Sequence, residues 1–305
     1  MDQKRIIDEF KELVSIEVHS RDERAIADVL KGKLIALGLT VTEDKAGEVL
    51  GGNTGNLYAQ LPGSTDGEPV LFSAHMDRVG NHGHIVPLVK EEEGKIVSDG
   101  TSILAGDDIG GVAAILAMLR EVKEKQIPHG PIEVAFSVCE ETGVEGSRQY
   151  DFSKFRSKSA FVYDASGKAG TIVLAAPSKG RVTIRVHGVT AHAGNEPEKG
   201  LNALKVAADL IMQLPDGRLS PVSTANFSII EAGSATNVVC DLVTITGEQR
   251  SRDAKEYQQI SADIQAAADR ISEKYHTKIE VELHTLYHAF KLEETARPCG
   301  LAKEA

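Results

Sequence analysis

Long apolar runs, paired cysteines and an excess of positive charge are all missing from this 305-residue chain. The most apolar uncharged run, Ile109 to Leu119, is too short to span a bilayer and contains Gly110 and Gly111. Met1 to Phe10 is charged and amphipathic, without the hydrophobic region of a signal peptide. Cys139, Cys240 and Cys299 are odd in number, far apart and form no CxxC pair. The formal net charge of -11 argues against nucleic acid and anionic membranes as partners, and says nothing positive about a substrate. A reduced, soluble, cytoplasmic protein is therefore expected. The length allows one large or two ordinary domains, and the 41% hydrophobic content suffices for a core.

What the chain does contain is a repeated arrangement of acids at element ends. Pro69 to Phe72 reads as an apolar strand, followed by Ser73-Ala74-His75-Met76-Asp77. Side chains alternate along a strand, so His75 and Asp77 should emerge on one side at its carboxyl end, where open α/β sheets keep their sites. An isolated His-x-Asp is ordinarily a loop histidine bonded to an acid; beside a metal, the carboxylate would orient the ring. Leu104-Ala105-Gly106-Asp107-Asp108 reads as a turn delivering two aspartates to an apolar helix that runs to about Gln126. Taken alone, these acids are helix caps. Its small residues, Gly110, Gly111, Ala113 and Ala114, suggest that the helix packs closely beneath something. The strand Pro131 to Val138 ends in Cys139-Glu140-Glu141-Thr142-Gly143, and the strand Ser159 to Tyr163 ends in Asp164. Adjacent carboxylates need solvent, a shared proton or a cation. Acids at four successive junctions, with one histidine, are poorly explained as caps, and a pair of divalent cations would neutralise them. The mixed N/O donor set suits zinc, with cobalt or manganese as substitutes.

Before these junctions, helical periodicity covers Ile6 to Val14 and Ile26 to Leu37, followed by short strands at Leu39 to Val41 and Asn56 to Leu61. Arg78 to Asp99 reads as a loop. His82 and His84 within it are interleaved with the turn formers Gly80, Asn81 and Gly83, and are read as loop residues near a mouth. From about Ser178 the pattern becomes strand (Arg181 to His187), helix (Leu201 to Leu214), strands (Ala225 to Ile230, Val238 to Thr246), helix (Ala254 to Tyr275) and strand (Lys278 to Thr285). That order is the ferredoxin-like βαββαβ unit, inserted in the α/β domain.

Taken together, these motifs resemble the cytosolic di-zinc exopeptidases, a family that includes peptidase T, glutamate carboxypeptidase, acetylornithine deacetylase and succinyl-diaminopimelate desuccinylase. The likeness is greatest to the peptidase T-like tripeptidase branch. It is carried by His75-Met76-Asp77, Ser98-Asp99-Gly100-Thr101 through Asp107-Asp108, Cys139-Glu140-Glu141-Thr142-Gly143, and Tyr163-Asp164-Ala165-Ser166-Gly167. The inserted segment adds His187-Gly188-Val189-Thr190-Ala191-His192-Ala193-Gly194, Gly200-Leu201-Asn202-Ala203 and Gly233-Ser234-Ala235-Thr236-Asn237-Val238. The resemblance implies a catalytic domain with a mixed sheet flanked by helices over residues 1–177, returning at 287–305. It also implies an inserted lid and dimerisation domain over 178–286. Asp107 would bridge two zinc ions, with His75 and Asp164 completing one and Glu141 the other; Asp77 would hold the His75 ring and Glu140 would be the general base. His192 would stabilise an oxyanion, usually in the partner subunit's site. Asn237 and Arg250 would meet the substrate carboxylate, with Arg252 a rival for Arg250 because the register is ambiguous. The expected partners are a short peptide substrate and a second copy of the chain.

The family pattern also implies more chain after the insertion, carrying a last histidine ligand of the second metal in a glycine-rich loop, and no residue here matches it. His276, His284 and His288 are the remaining histidines and are not read as ligands. A fragment of a longer protein, or a gene that has lost its end, is expected, and this chain is expected to turn over poorly or not at all. Two other readings remain: an N-acyl amino acid deacylase or carboxypeptidase of the same family, and a non-catalytic relic serving as a binding or oligomerisation module.

Overall fold

The computed structural model describes residues 2–80 and 83–305. Its elements in chain order are α1 (Gln3–Val14), α2 (Arg24–Ala36), β1 (Thr40–Glu43), α3 (Ala46–Leu50), β2 (Leu57–Leu61), β3 (Val70–His75), β4 (Pro87–Lys90), β5 (Lys95–Ser98), α4 (Gly106–Glu124), β6 (Ile132–Ser137) and β7 (Ser159–Val162). They continue as β8 (Ala175–Ala176), β9 (Ser178–His187), α5 (Ala203–Ile211), β10 (Gly217–Ser220), β11 (Ser223–Ala232), β12 (Leu242–Ser251), α6 (Ala254–Tyr275), β13 (Ile279–Tyr287), β14 (Phe290–Lys291) and α7 (Arg297–Glu304). The chain divides into two compact units, Met1–Ile172 with Thr295–Ala305, and Val173–Glu294.

The first unit is built on a five-stranded mixed sheet in the order β1-β2-β6-β3-β7. β6 is buried along its whole length, including Glu133 and Ser137, as its place at the centre of the sheet requires. β3 runs parallel to both β6 and β7, with His75 opposite Ser137 and Ser73 opposite Val162. That register brings the carboxyl ends of three parallel strands side by side. Leu13, Leu30, Leu57, Ile115, Leu116 and Phe136 are fully buried in one core between the helices and this sheet. Helix α1 is capped by Asp2, whose carboxylate accepts from the Arg5 amide at 3.3 Å. It is tied to α4 by Arg120, which donates to both oxygens of the buried Glu9 at 2.6 and 2.7 Å.

The second unit carries an antiparallel sheet in the order β10-β11-β12-β9-β13, backed by α5 and α6. Leaving aside the short β10, this is the ferredoxin-like arrangement expected from the sequence. β9 alternates buried Val182, Ile184 and Val186 with outward Thr183, Arg185 and His187. The inward set meets Val206, Leu210, Ile264 and Ile271 in a separate core. Asp253 caps α6 by accepting from the Lys255 and Glu256 amides, and His276 closes that helix in the left-handed conformation.

Three local expectations change. Arg78 to Asp99 is not all loop, because it contains the β4–β5 hairpin, with Pro87 opposite Ser98. His84 is exposed on the approach to that hairpin, and His82 lies outside the described residues. The expected strand at Val238 to Thr246 begins four residues later. Val238 and Val239 bond instead to the His192 segment, through a bridge between His192 and Val238 and the Val239 amide on the Ala191 carbonyl at 3.0 Å. The helix after Asp107 ends at Glu124, and its first two aspartates are not helical in φ/ψ. Among the described residues no helix is long and apolar enough to cross a membrane.

Candidate metal centre and active site

His75 ends β3 and is buried at 2% exposure. Its Nε2 lies 3.0 Å from Asp107 Oδ1 and 4.0 Å from Glu140 Oε2. On the other side of the ring, Nδ1 lies 2.9 Å from the Asp77 carbonyl oxygen and 3.3 Å from Asp77 Oδ1. The predicted pairing of His75 with Asp77 is therefore present, in the arrangement that fixes an imidazole's tautomer and orientation.

Asp77 is fully buried and does more than hold the ring. Its Oδ1 accepts from the Glu140 amide at 2.9 Å, while Oδ2 accepts from the Glu141 amide at 3.1 Å and the Ser20 hydroxyl at 2.6 Å. Burial would raise this carboxyl, but the His75 ring and these donors outweigh it and hold it below the usual carboxylate range. Asp107 is delivered from the start of α4, joined to Asp108 by a cis peptide. Asp108 turns inward and accepts from the His75 amide at 3.1 Å. Gly111 makes room here: a Cβ on it would meet Asp108 Oδ1 at 2.3 Å and Tyr163 Cβ at 2.8 Å. The expectation of close packing at the start of α4 is met at Gly111, whereas Gly110 faces open space.

Ligand atoms of His75, Asp107 and Glu141 lie within 4.8 Å of one another, as do those of His75, Glu140 and Asp164. Five of the sequence-predicted residues thus converge, contributed by three strand ends and one helix start. Their electrostatics are those of crowded acids. Burial, then Asp164, Glu141 and Asp77, push Glu140 up to about 7, and burial pushes Asp108 up to about 8. Glu141 and Asp164 are raised as well, first by burial and then by neighbouring charges that include Asp107. Burial would lower His75, yet Asp77, Asp108 and Asp164 outweigh it and hold the ring up at about 10. One imidazole cannot offset four converging carboxylates, and an oxygen-rich set with a single nitrogen donor fits a divalent cation. The histidines at 276, 284 and 288 join no such group among the described residues.

The three predicted substrate contacts lie in the second unit. His192 Nδ1 accepts from the Gly194 and Asn195 amides, both at 3.2 Å, which leaves Nε2 to carry the proton. Asn237 is held next to it, its carbonyl accepting from the Ala193 amide at 3.0 Å. Arg250 stands apart from this pair on β12, where it grips Glu248 through Nε at 2.6 Å and Nη2 at 3.2 Å. Its rival Arg252 bonds the Pro221 carbonyl at 3.4 Å.

Sequence reasoning assigned no role to Ser20 or Glu23, both of which reach the site. Ser20-Arg21-Asp22-Glu23 has the spacing of a helix capping box, a signal that conceals any other use. Glu23 is instead fully buried, and its Oε1 accepts from the Cys139 amide at 3.0 Å.

Known proteins share the sequence pattern and the fold of this chain. The model of the peptidase dimerisation domain matches residues 177–276, and that of peptidase family M28 matches residues 56–195. The crystal structure of aminopeptidase PepT from Bacillus cereus ATCC 10987 is 38% identical with a TM-score of 0.88, and the comparison covers 100% of this chain and 81% of that one. A tripeptidase from Staphylococcus aureus is 33% identical with a TM-score of 0.93, at the same coverage. Peptidase T of Staphylococcus carnosus is 28% identical over 240 residues, which are 77% of this chain and 57% of that protein. The chain shares the fold of relatives more than 30% identical to it over about four fifths of their length, and it belongs to the peptidase T-like branch of the metallopeptidases, a family of hydrolases.

Proposed function

We propose that the chain carries the active site of a zinc-dependent exopeptidase that trims short peptides, in the manner of an aminotripeptidase. The observation that supports it most is the convergence of His75, Asp107, Glu140, Glu141 and Asp164 at the ends of parallel strands. In this reading His75, Asp107, Glu141 and Asp164 would hold a pair of divalent cations, with Asp107 shared between them. Such ions supply Lewis acidity, polarising the scissile carbonyl and acidifying a water.

The remaining work belongs to the chain. Glu140 Oε2 takes the proton of the attacking water and passes it to the leaving amine. Its position beside the imidazole edge, at the rim of the converging acids, suits a base that accepts and then releases a proton. Asp77 keeps the His75 ring aimed and its Nδ1 engaged. His192, with a protonated Nε2, is suited to donate to the carbonyl oxygen as negative charge develops there. Asn237 and Arg250 are assigned to the substrate carboxylate, and the assembly to a homodimer through the inserted unit.

Zinc titration followed by calorimetry, together with hydrolysis of a tripeptide panel, tests the reading. Metal uptake, release of an amino-terminal residue, and a Glu140→Gln variant that binds metal but loses turnover are expected. Cleavage of N-acyl amino acids in place of tripeptides would move the assignment to a deacylase. No uptake with an intact dimer would move it to a non-catalytic module.

A further inference from the structure

Three consecutive amides, those of Cys139, Glu140 and Glu141, donate to two buried carboxylates, the first to Glu23 and the next two to Asp77. Both carboxylates depend on one short turn between α1 and α2, closed by a bridge between His19 and Asp22. Glu23 stands on that turn, and Ser20 on the same turn donates to Asp77 Oδ2. A third tie closes the far end of the glutamate loop, where Arg21 Nη2 lies 3.3 Å from Glu145 Oε2 and the Thr142 hydroxyl donates to the same oxygen at 2.8 Å.

The loop needs such ties. Cys139 and Val144 adopt φ of 51° and 60°, a region that side-chain-bearing residues disfavour. A left-handed residue directly before Glu140 sets the direction in which both glutamate side chains leave the backbone. Glu23 is also freed for the task. It is the N-cap residue of α2, yet its carboxylate makes no capping bond and is turned to the Arg21 and Cys139 amides, both at 3.0 Å.

We propose that the Ser20–Glu23 turn is a clasp on the glutamate loop and that Glu23 is a positioning residue, holding Cys139 left-handed and so setting where the Glu140 and Glu141 carboxylates point. The inference rests on the reading of Glu140 as base and Glu141 as metal ligand, and its test separates the two.

Amide hydrogen exchange read by NMR on the metal-free chain needs no turnover. In Glu23→Ala the Cys139 amide and the loop after it exchange about tenfold faster or more, while Val134 and Phe136 in β6 and Ile184 in β9 keep their wild-type rates. Glu23→Gln retains the acceptor oxygen and stays within about threefold of wild type. Ser20→Ala, which leaves Glu23 in place, speeds the Glu140 and Glu141 amides and spares that of Cys139. Unchanged loop exchange in Glu23→Ala, or equal acceleration throughout β6, overturns the proposal. With metal and peptide supplied, Glu23→Ala lowers kcat about 100-fold at constant KM and Glu23→Gln restores it; an unchanged kcat also overturns it. A wild-type chain without metal uptake would sink the peptidase reading and leave the exchange result to judge the clasp.

Discussion

Asp77 Oδ1 lies 3.3 Å from His75 Nδ1 and accepts the Glu140 amide at 2.9 Å, so one buried carboxyl orients both the imidazole and the loop that carries the glutamates. The acid that seemed subordinate in the His-x-Asp pair is the point where β3, the glutamate loop and the Ser20 turn are joined.

Replacing Asp77 with Asn tests that junction. The side chain keeps its size, but the amide NH2 then faces a backbone N–H that needs an acceptor. We expect a stability loss of about 1–3 kcal/mol by urea unfolding. Zinc affinity should fall about 10–100-fold by calorimetry, because the ring and the glutamates lose their common support. Unchanged affinity with unchanged stability would contradict the role.

Arg24 and Glu43 form a two-point ion pair, with Nη1 donating to Oε2 at 3.1 Å and Nη2 to Oε1. The guanidinium holds the Glu43 carboxyl down at about 2, against 4.5 unperturbed. A depressed acid stabilises the fold at all pH values above its unfolded pKa and loses that contribution as pH falls towards its folded one. Discounted for the solvent that reaches both groups, the pair contributes on the order of 1–2 kcal/mol at neutral pH. The difference in unfolding free energy between wild type and Arg24→Met should be constant above pH 4.5 and shrink as pH falls from there towards 2. A pH-independent difference would show that packing alone is responsible.

Neighbouring glycines at the head of α4 should respond in opposite directions. Gly111→Ala puts a Cβ against Asp108 and Tyr163 and should destabilise by about 1–3 kcal/mol while weakening metal binding. Gly110→Ala meets nothing within 4 Å and should stabilise by about 0.5–1 kcal/mol, since alanine is the better helix former. Thermal unfolding of both variants reads the contrast, and equal shifts would refute it.

Much of the site was legible because its chemistry is written at strand ends. Apolar runs that stop in His75, Glu140 and Asp164 mark the carboxyl edges of β3, β6 and β7, and the parallel register then places them together. The ferredoxin-like unit was legible from strand alternation such as that of β9 and from the long periodic α6. What the sequence concealed was long-range polar contact. Ser20 and Glu23 look like local caps, and nothing near them announces partners at Asp77 and Cys139, 57 and 116 residues away. β12 was misplaced for a related reason. Its polar end lies inside the fold, where Gln249 bonds Ser261 at 2.6 Å and Ser251 is bonded by Ser223 at 2.8 Å, while the apolar Val238 and Val239 serve the His192 loop.

Anomalous diffraction at the zinc edge, from crystals of the chain grown with excess zinc, tests the central claim most directly. The account predicts scattering peaks coordinated by His75 Nε2 and by carboxylate oxygens of Asp107, Glu141 and Asp164. A map without anomalous density at these side chains, or with the carboxylates turned apart towards solvent, would contradict it.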